Sequence, residues 1–153
     1  MIEGVHIKKL KVIPDERGRV MEMLRDDDEV FKKFGQVYLA TAKPGYVKGW
    51  HYHKKQTDNI ICVKGEIRMG LYDPRKESKT FGKVHEFIIS AERNPLLISI
   101  PPEVYHGFES NVNEESMIIN IPTEHYCHDG PDEHRVAFNS KDIPFQWRST
   151  KGG

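Results

Sequence analysis

The sequence predicts an all-β domain, a sandwich or barrel of many short strands. Two observations lead there. From Gln36 onward, apolar and polar residues alternate with period two in runs of four to eight residues. Turn-forming clusters then punctuate those runs at short, regular intervals, among them Lys43-Pro44-Gly45, Asp73-Pro74, Arg93-Asn94-Pro95 and Gly130-Pro131. A third observation limits the exceptions, because only one segment has the pattern of a helix.

In chain order, Val5, Ile7, Leu10 and Val12 predict one or two opening strands that stop at Pro14. Asp15-Glu16-Arg17-Gly18 is a turn by composition, and Val20 to Leu24 is a short strand. Residues 27–34 predict one short helix, with an acidic start, Val30, Phe31 and Phe34 on one stripe, and Gly35 as the stop. Strands follow at Val37–Ala40, Gly49–His53, Asn59–Val63, Glu66–Tyr72, His85–Ile89, Leu96–Ile100, His106–Ser110, Met117–Ile121 and Val136–Phe138. Lys151-Gly152-Gly153 reads as a frayed end. No repeat, low-complexity tract or linker interrupts the pattern, so a single domain over 1–153 is expected.

Composition narrows the function. Hydrophobic residues make up 37% of the chain and charged residues 30%, which leaves either a thin core or apolar surface shared with a partner. Both suit a small barrel that forms a homodimer. Lys and Arg total 23, equal to Asp and Glu, so no global field recruits nucleic acid or an anionic membrane surface. No apolar run approaches the roughly 20 residues of a membrane span. No signal-peptide pattern is present and there are two cysteines, Cys62 and Cys127, so a reducing cytoplasmic setting is expected. Cys62 sits in an apolar run as a core residue, while Cys127 lies among polar residues and keeps a reactive or ligating role open.

The chemistry gathers in Gly45 to His53 and its continuation to Gly65. Side chains two apart on a strand share a face, so His51 and His53 project together and Trp50 and Tyr52 oppose them. Asp58 follows nearby, and His106 comes after the turn Pro101-Pro102-Glu103. Imidazole and carboxylate together suit a divalent metal such as Zn, Fe, Mn or Ni, with His51, His53, Asp58 and His106 as the ligand set. The same groups suit metal-free proton transfer, in which a histidine takes a proton from a carbon beside a carbonyl.

The spacing is similar to the cupin pattern Gly-x5-His-x-His-x4-acid-x6-Gly, with Asp58 at the acid and Glu103 where a later glycine is usual. Within cupins, residues from about 5 to 147 resemble the dTDP-4-dehydrorhamnose 3,5-epimerase family. The resemblance rests on Asp15 to Glu22, Phe34-Gly35-Gln36, Lys48 to His53, Asp73 to Gly82, Ile100 to Phe108, and Phe138-Asn139 with Trp147. It implies a cupin jelly roll, a homodimer, no cofactor, and a nucleotide-sugar substrate epimerised or isomerised through proton transfer next to a ketone. By the same resemblance His51 is the general base. Arg17, Glu22, Gln36, Lys48, His106, Tyr126 and Glu133 (or Asp132) fall on substrate-binding positions.

Five positions depart from the family pattern. Asn120 stands where the resemblance expects the proton-donating tyrosine, which leaves it a binding residue. Ser140 stands for the carboxylate that orients the base, and Asp58 for a lysine beside the ketone. Val20 replaces an aromatic residue, and His53 replaces a glutamine. The donor must then be another group, with His53, Tyr38 and Tyr105 as candidates. A non-catalytic sugar-binding cupin is the remaining alternative.

Overall fold

Period-two patterning becomes burial in the computed structural model, which describes residues 1–153. Thirteen strands form: β1 (His6–Lys9), β2 (Lys11–Asp15), β3 (Gly18–Glu22), β4 (Tyr38–Ala42), β5 (Tyr46–Tyr52), β6 (Asp58–Lys64), β7 (Glu66–Tyr72), β8 (Val84–Ser90), β9 (Leu96–Ile100), β10 (Tyr105–Ser110), β11 (Ser116–Asn120), β12 (His134–Arg135) and β13 (Lys151–Gly152). On β11, Ser116, Ile118 and Asn120 are buried, while Met117 and Ile119 are only half-buried. That alternation is what a strand with one face on the core requires.

Two sheets face each other. One has the order β1-β9-β6-β11-β4, and the other β12-β5-β10-β7-β8 with β13 added to β5. Ile60, Ile98 and Ile118 from the first sheet meet Met69, Leu71, Ile89 and Phe108 from the second in one core. Ile98 is fully buried, and burying such a side chain stabilises by about 1.5–3 kcal/mol. A smaller cluster lies on the outer side of the first sheet, where Met21, Met23, Leu24 and Val30 cover Leu10, Ile61 and Leu97.

Four expectations are corrected. Residues 27–34 form no helix. The Asp28 carboxylate accepts the Arg25 N–H and pairs with Lys8, and the segment folds into turns closed by the Phe31 N–H donating to the Asp28 carbonyl. Side-chain capture of the backbone competes with helix here. Pro14 does not end β2, because β2 pairs on one side only and the missing N–H has no partner to lose. The strand expected at Val136–Phe138 forms two residues earlier, at His134–Arg135, opposite Tyr52 and His51. Lys151 and Gly152 pair in parallel with Tyr46 and Val47 rather than fraying.

Close backbone approach sets the register beside the histidines. His106 faces His51 across the β10–β5 ladder, but Phe108 faces Lys48, so the register shifts between them. Gly49 and Gly107 meet at that shift. A Cβ on Gly49, whose φ is +149°, would lie 2.6 Å from the Gly107 Cα. Only paired glycines allow this bulge, and the bulge sets where His106 sits against His51.

Candidate active site

A cavity of about 630 Å³ opens between the two sheets, with His51, His53, His106, Tyr38, Asn120 and Lys48 on its wall. His51 and His106 come from β5 and β10, and Tyr38 and Asn120 come from β4 and β11. The cavity is therefore reached from two opposed sheets. A hollow of about 800 Å³ runs along residues 138–150, but Lys141 is its only charged side chain.

Asp58 joins the two sheets beneath this cavity. Its side chain is 1% exposed. Oδ1 accepts from Gln56 Nε2 and Asn120 Nδ2, both at 2.7 Å. Oδ2 lies 3.2 Å from His53 Nε2 and 3.2 Å from His106 Nε2. The far nitrogens are also committed, since His106 Nδ1 faces the Val104 carbonyl at 3.1 Å and His53 Nδ1 faces the Asp132 carbonyl. A carbonyl only accepts, so both Nδ1 atoms carry protons. Each Nε2 then donates to Asp58 only when its ring is doubly protonated. Desolvation pushes His53 down, but the Asp58 hydrogen bond and charge outweigh it and the net shift is upward. Burial also works against the Asp58 charge, yet the donors from His106 and His53 hold the carboxyl well below the usual carboxylate range.

His51 has the opposite surroundings. Its Nε2 is buried and has no hydrogen-bond partner in the protein. Desolvation first, and then the neighbouring His106, pushes the ring down to about 4, so it is neutral at pH 7. The rings of His51 and His106 lie 6.4 Å apart. The site therefore separates a neutral histidine with a free nitrogen from a histidine pair tied to a carboxylate. Such separation of like groups is the pattern of acid–base chemistry.

The family pattern of dTDP-4-dehydrorhamnose 3,5-epimerase matches residues 1–152. The chain belongs to that family. It is 38% identical to the spore coat polysaccharide biosynthesis protein SpsL of Bacillus subtilis, over 97% of this chain and 98% of that one. It is 36% identical to the probable low-salt glycan biosynthesis epimerase Agl13 of Haloferax volcanii, over 97% and 96%. The crystal structure of a dTDP sugar isomerase from Desulfovibrio desulfuricans superposes with a TM-score of 0.91 at 30% identity, covering 98% of this chain and 94% of that one. The expected all-β cupin jelly roll is thus the fold observed, and the protein is a carbohydrate epimerase or isomerase by family.

The epimerase-family positions divide on the structure. Gln36, Lys48, Tyr126 and Glu133 line the cavity together with the histidines and Asn120. Gln36 also accepts the Tyr126 N–H at 3.1 Å, so it positions that residue. Arg17 lies on the β2–β3 turn, paired with Asp15, and Glu22 pairs with Arg25 and Lys11, so neither reaches the cavity within its own chain. Of the four proposed metal ligands, His53, Asp58 and His106 have ligand atoms within 4.8 Å of one another, and His51 is not of that group. Among the donor candidates, Tyr105 stacks on Tyr52 at 4.6 Å and lines a different hollow. Ser140 lies in the hollow along residues 138–150, where its hydroxyl accepts the Asp142 N–H.

Of three further contributors, Arg135 and Gln56 had no motif to reveal them, and Asp132 was the resemblance's alternative to Glu133. Arg135 lines the cavity from β12, opposite His51, and pairs with Glu133 at 2.7 Å. Gln56 holds Asp58. The Asp132 carboxylate accepts the N–H groups of Lys54, Lys55 and Gln56 and so fixes the loop that bears His53. A buried glutamine looks like an ordinary polar residue until the fold joins it to Asp58.

Proposed function

We propose that the cavity binds a nucleotide-linked 4-keto-sugar and that His51 removes the proton next to the sugar's ketone. The observation behind this reading is the buried, unpartnered Nε2 of a neutral histidine in the cavity wall. A general base needs a free lone pair within reach of the proton it takes. When protonated, which its upward shift favours, His53 would bring positive charge to the cavity wall beside the enolate, in place of the missing lysine. Lys48 and Arg135 offer cations to a diphosphate. Relatives bearing epimerase and dTDP-sugar isomerase names support the substrate class.

Incubation of dTDP-4-keto-6-deoxyglucose with the protein in D2O should introduce deuterium at C3 or C5, read by NMR. His51→Asn should slow that exchange by about 10²–10⁴-fold. Absence of exchange with every nucleotide-linked keto-sugar tried would remove the catalytic reading and leave a binding protein.

One observation favours a second reading, a divalent metal on His53, Asp58 and His106. Both Nδ1 atoms are tied to carbonyls and both Nε2 atoms are turned to one carboxylate oxygen, as in metal sites. The 3.2 Å separations fall between the octahedral and tetrahedral ligand edges, about 3.0 and 3.4 Å, for bonds of about 2.1 Å. Elemental analysis of untagged protein decides it, one metal per chain supporting the reading and a clean protein removing it. Homodimerisation and a cytoplasmic setting belong to the same proposal. Exposed Val37 beside edge strand β4 and exposed Leu39 on it support the first, and the free thiols Cys62 and Cys127 support the second.

A further inference from the structure

An inverted carbon needs two groups, one to take a proton and another to deliver one from the opposite side. His51, as the base, takes its proton from the β5 wall of the cavity. The donor must therefore come from the facing sheet, keep its proton at neutral pH, and have that proton uncommitted.

Asn120 identifies the group. The Asn59 N–H can only donate, and it meets Asn120 Oδ1 at 3.0 Å. The amide orientation is thereby settled, and Asn120 Nδ2 must be the atom turned to Asp58 Oδ1 and to the Tyr38 hydroxyl, at 2.7 and 2.9 Å. Tyr38 Oη is then an acceptor in that contact. No protein group accepts its own proton. Tyr38 lies directly across the β4–β11 ladder from Asn120 and lines the cavity that His51 lines from the other sheet. Tyr38 is 42% exposed as a residue, yet its hydroxyl end bonds to the buried Asn120.

We propose that Tyr38 is the catalytic proton donor, delivering its hydroxyl proton to the sugar carbon on the side away from His51, with Asn120 as its positioning residue. This rests on the reading of His51 as the base. The C–H electron pair becomes the enolate double bond as His51 Nε2 takes the proton. The enolate carbon then uses that pair to bond the Tyr38 proton, which leaves a phenolate that Asn120 Nδ2 continues to hydrogen-bond. One proton passing from the His51 imidazolium to Tyr38 through cavity water resets both groups, and no oxidant or reductant is needed. Desolvation, then the Asp58 charge, pushes the phenol up to about 12, so it holds its proton until an enolate takes it. The rival His53 has both ring nitrogens engaged, on Asp132 and Asp58.

The test compares two readouts on one nucleotide-linked 4-keto-6-deoxysugar in D2O, namely deuterium entering the recovered substrate and formation of the epimer. Tyr38→Phe should keep deuterium exchange within about tenfold of the parent while epimer formation falls by about 10²–10⁴-fold. Asn120→Ala should lower the ratio of epimer to exchange in the same direction. Epimer formation by Tyr38→Phe within threefold of the parent overturns the proposal and leaves His51 as base intact. Loss of both readouts in a variant that still binds dTDP as tightly as the parent also overturns it, since Tyr38 would then support the site and not the proton. Absence of exchange in the parent itself overturns the base and the donor together.

Discussion

Asp58 shows how much one buried carboxylate decides. Its two oxygens face four side-chain nitrogens, two of amides and two of imidazoles. An asparagine there can serve all four only with both imidazoles neutral, its Nδ2 donating to the two Nε2 atoms, so it removes the charge that favours protonated rings. It also leaves His53 without its counter-charge. Asp58→Asn should therefore cost about 3–5 kcal/mol, the usual penalty for breaking a buried pair from one side. Urea unfolding at pH 7 measures it, and a loss below about 1 kcal/mol would show that the network contributes little to stability. Glu103 is a smaller case. It occupies the left-handed region at φ +67° where the cupin pattern has glycine, and its N–H donates to the His53 carbonyl at 2.6 Å. A branched side chain there, as in Glu103→Val, adds strain of about 1–2 kcal/mol.

At the scale of an element, the longest family motif turns out to be structural. Asp73 is fully buried at the head of the loop that precedes β8. Its carboxylate accepts from Arg75 Nε, Ser78 Oγ and Thr80 Oγ1 at 2.6–2.7 Å. The motif thus encodes a loop clasp, and none of its residues lines the cavity that His51 lines. Burial raises the cost of the charge, but these donors prevail and hold the carboxyl below its ordinary range. A depressed carboxyl stabilises above its unfolded pKa, about 3.9, and that stability disappears as pH falls through the folded value. Asp73→Asn should cost about 2–4 kcal/mol at pH 7, with the gap from the parent narrowing below about pH 4. A constant gap across pH 3 to 7 in chemical denaturation would contradict this assignment. Gly70 illustrates the same scale on the outer face of β7, where Phe145 Cζ lies 2.8 Å from the place of a Cβ. The C-terminal segment packs there over Arg68, whose guanidinium sits 4.5 Å from the Phe145 ring centre and pairs with the buried Glu109.

For the whole molecule, the exposed apolar side chains are unevenly placed. Val37 and Leu39 are each 55% exposed beside or on an edge strand, and Val20 is 62% exposed on the separate β2–β3 hairpin. Unpaired edges carrying apolar residues invite a second chain. If the proposed homodimer forms through β4, light scattering should return twice the chain mass, and Leu39→Glu should shift it to the single-chain value at micromolar concentration. A parent protein that is monomeric there would remove the dimer.

The sequence by itself determined the strand pattern, the family and the recruitment of His51, His53 and His106 to one pocket. Those are properties of local alternation and of spacing within short segments. It misread residues 27–34, because helix periodicity there met an aspartate whose side chain captures the backbone and a distant lysine, Lys8. It could not rank the histidines, since their tautomers depend on the carbonyls of Val104 and Asp132. Nor could it choose among three proton donors. Tyr38 stands beside Asn120 only through the register of two strands 82 positions apart in sequence. Tertiary structure decided which groups in the pocket are paired and which are free, because hydrogen-bond partners are neighbours that only the paired sheets bring together.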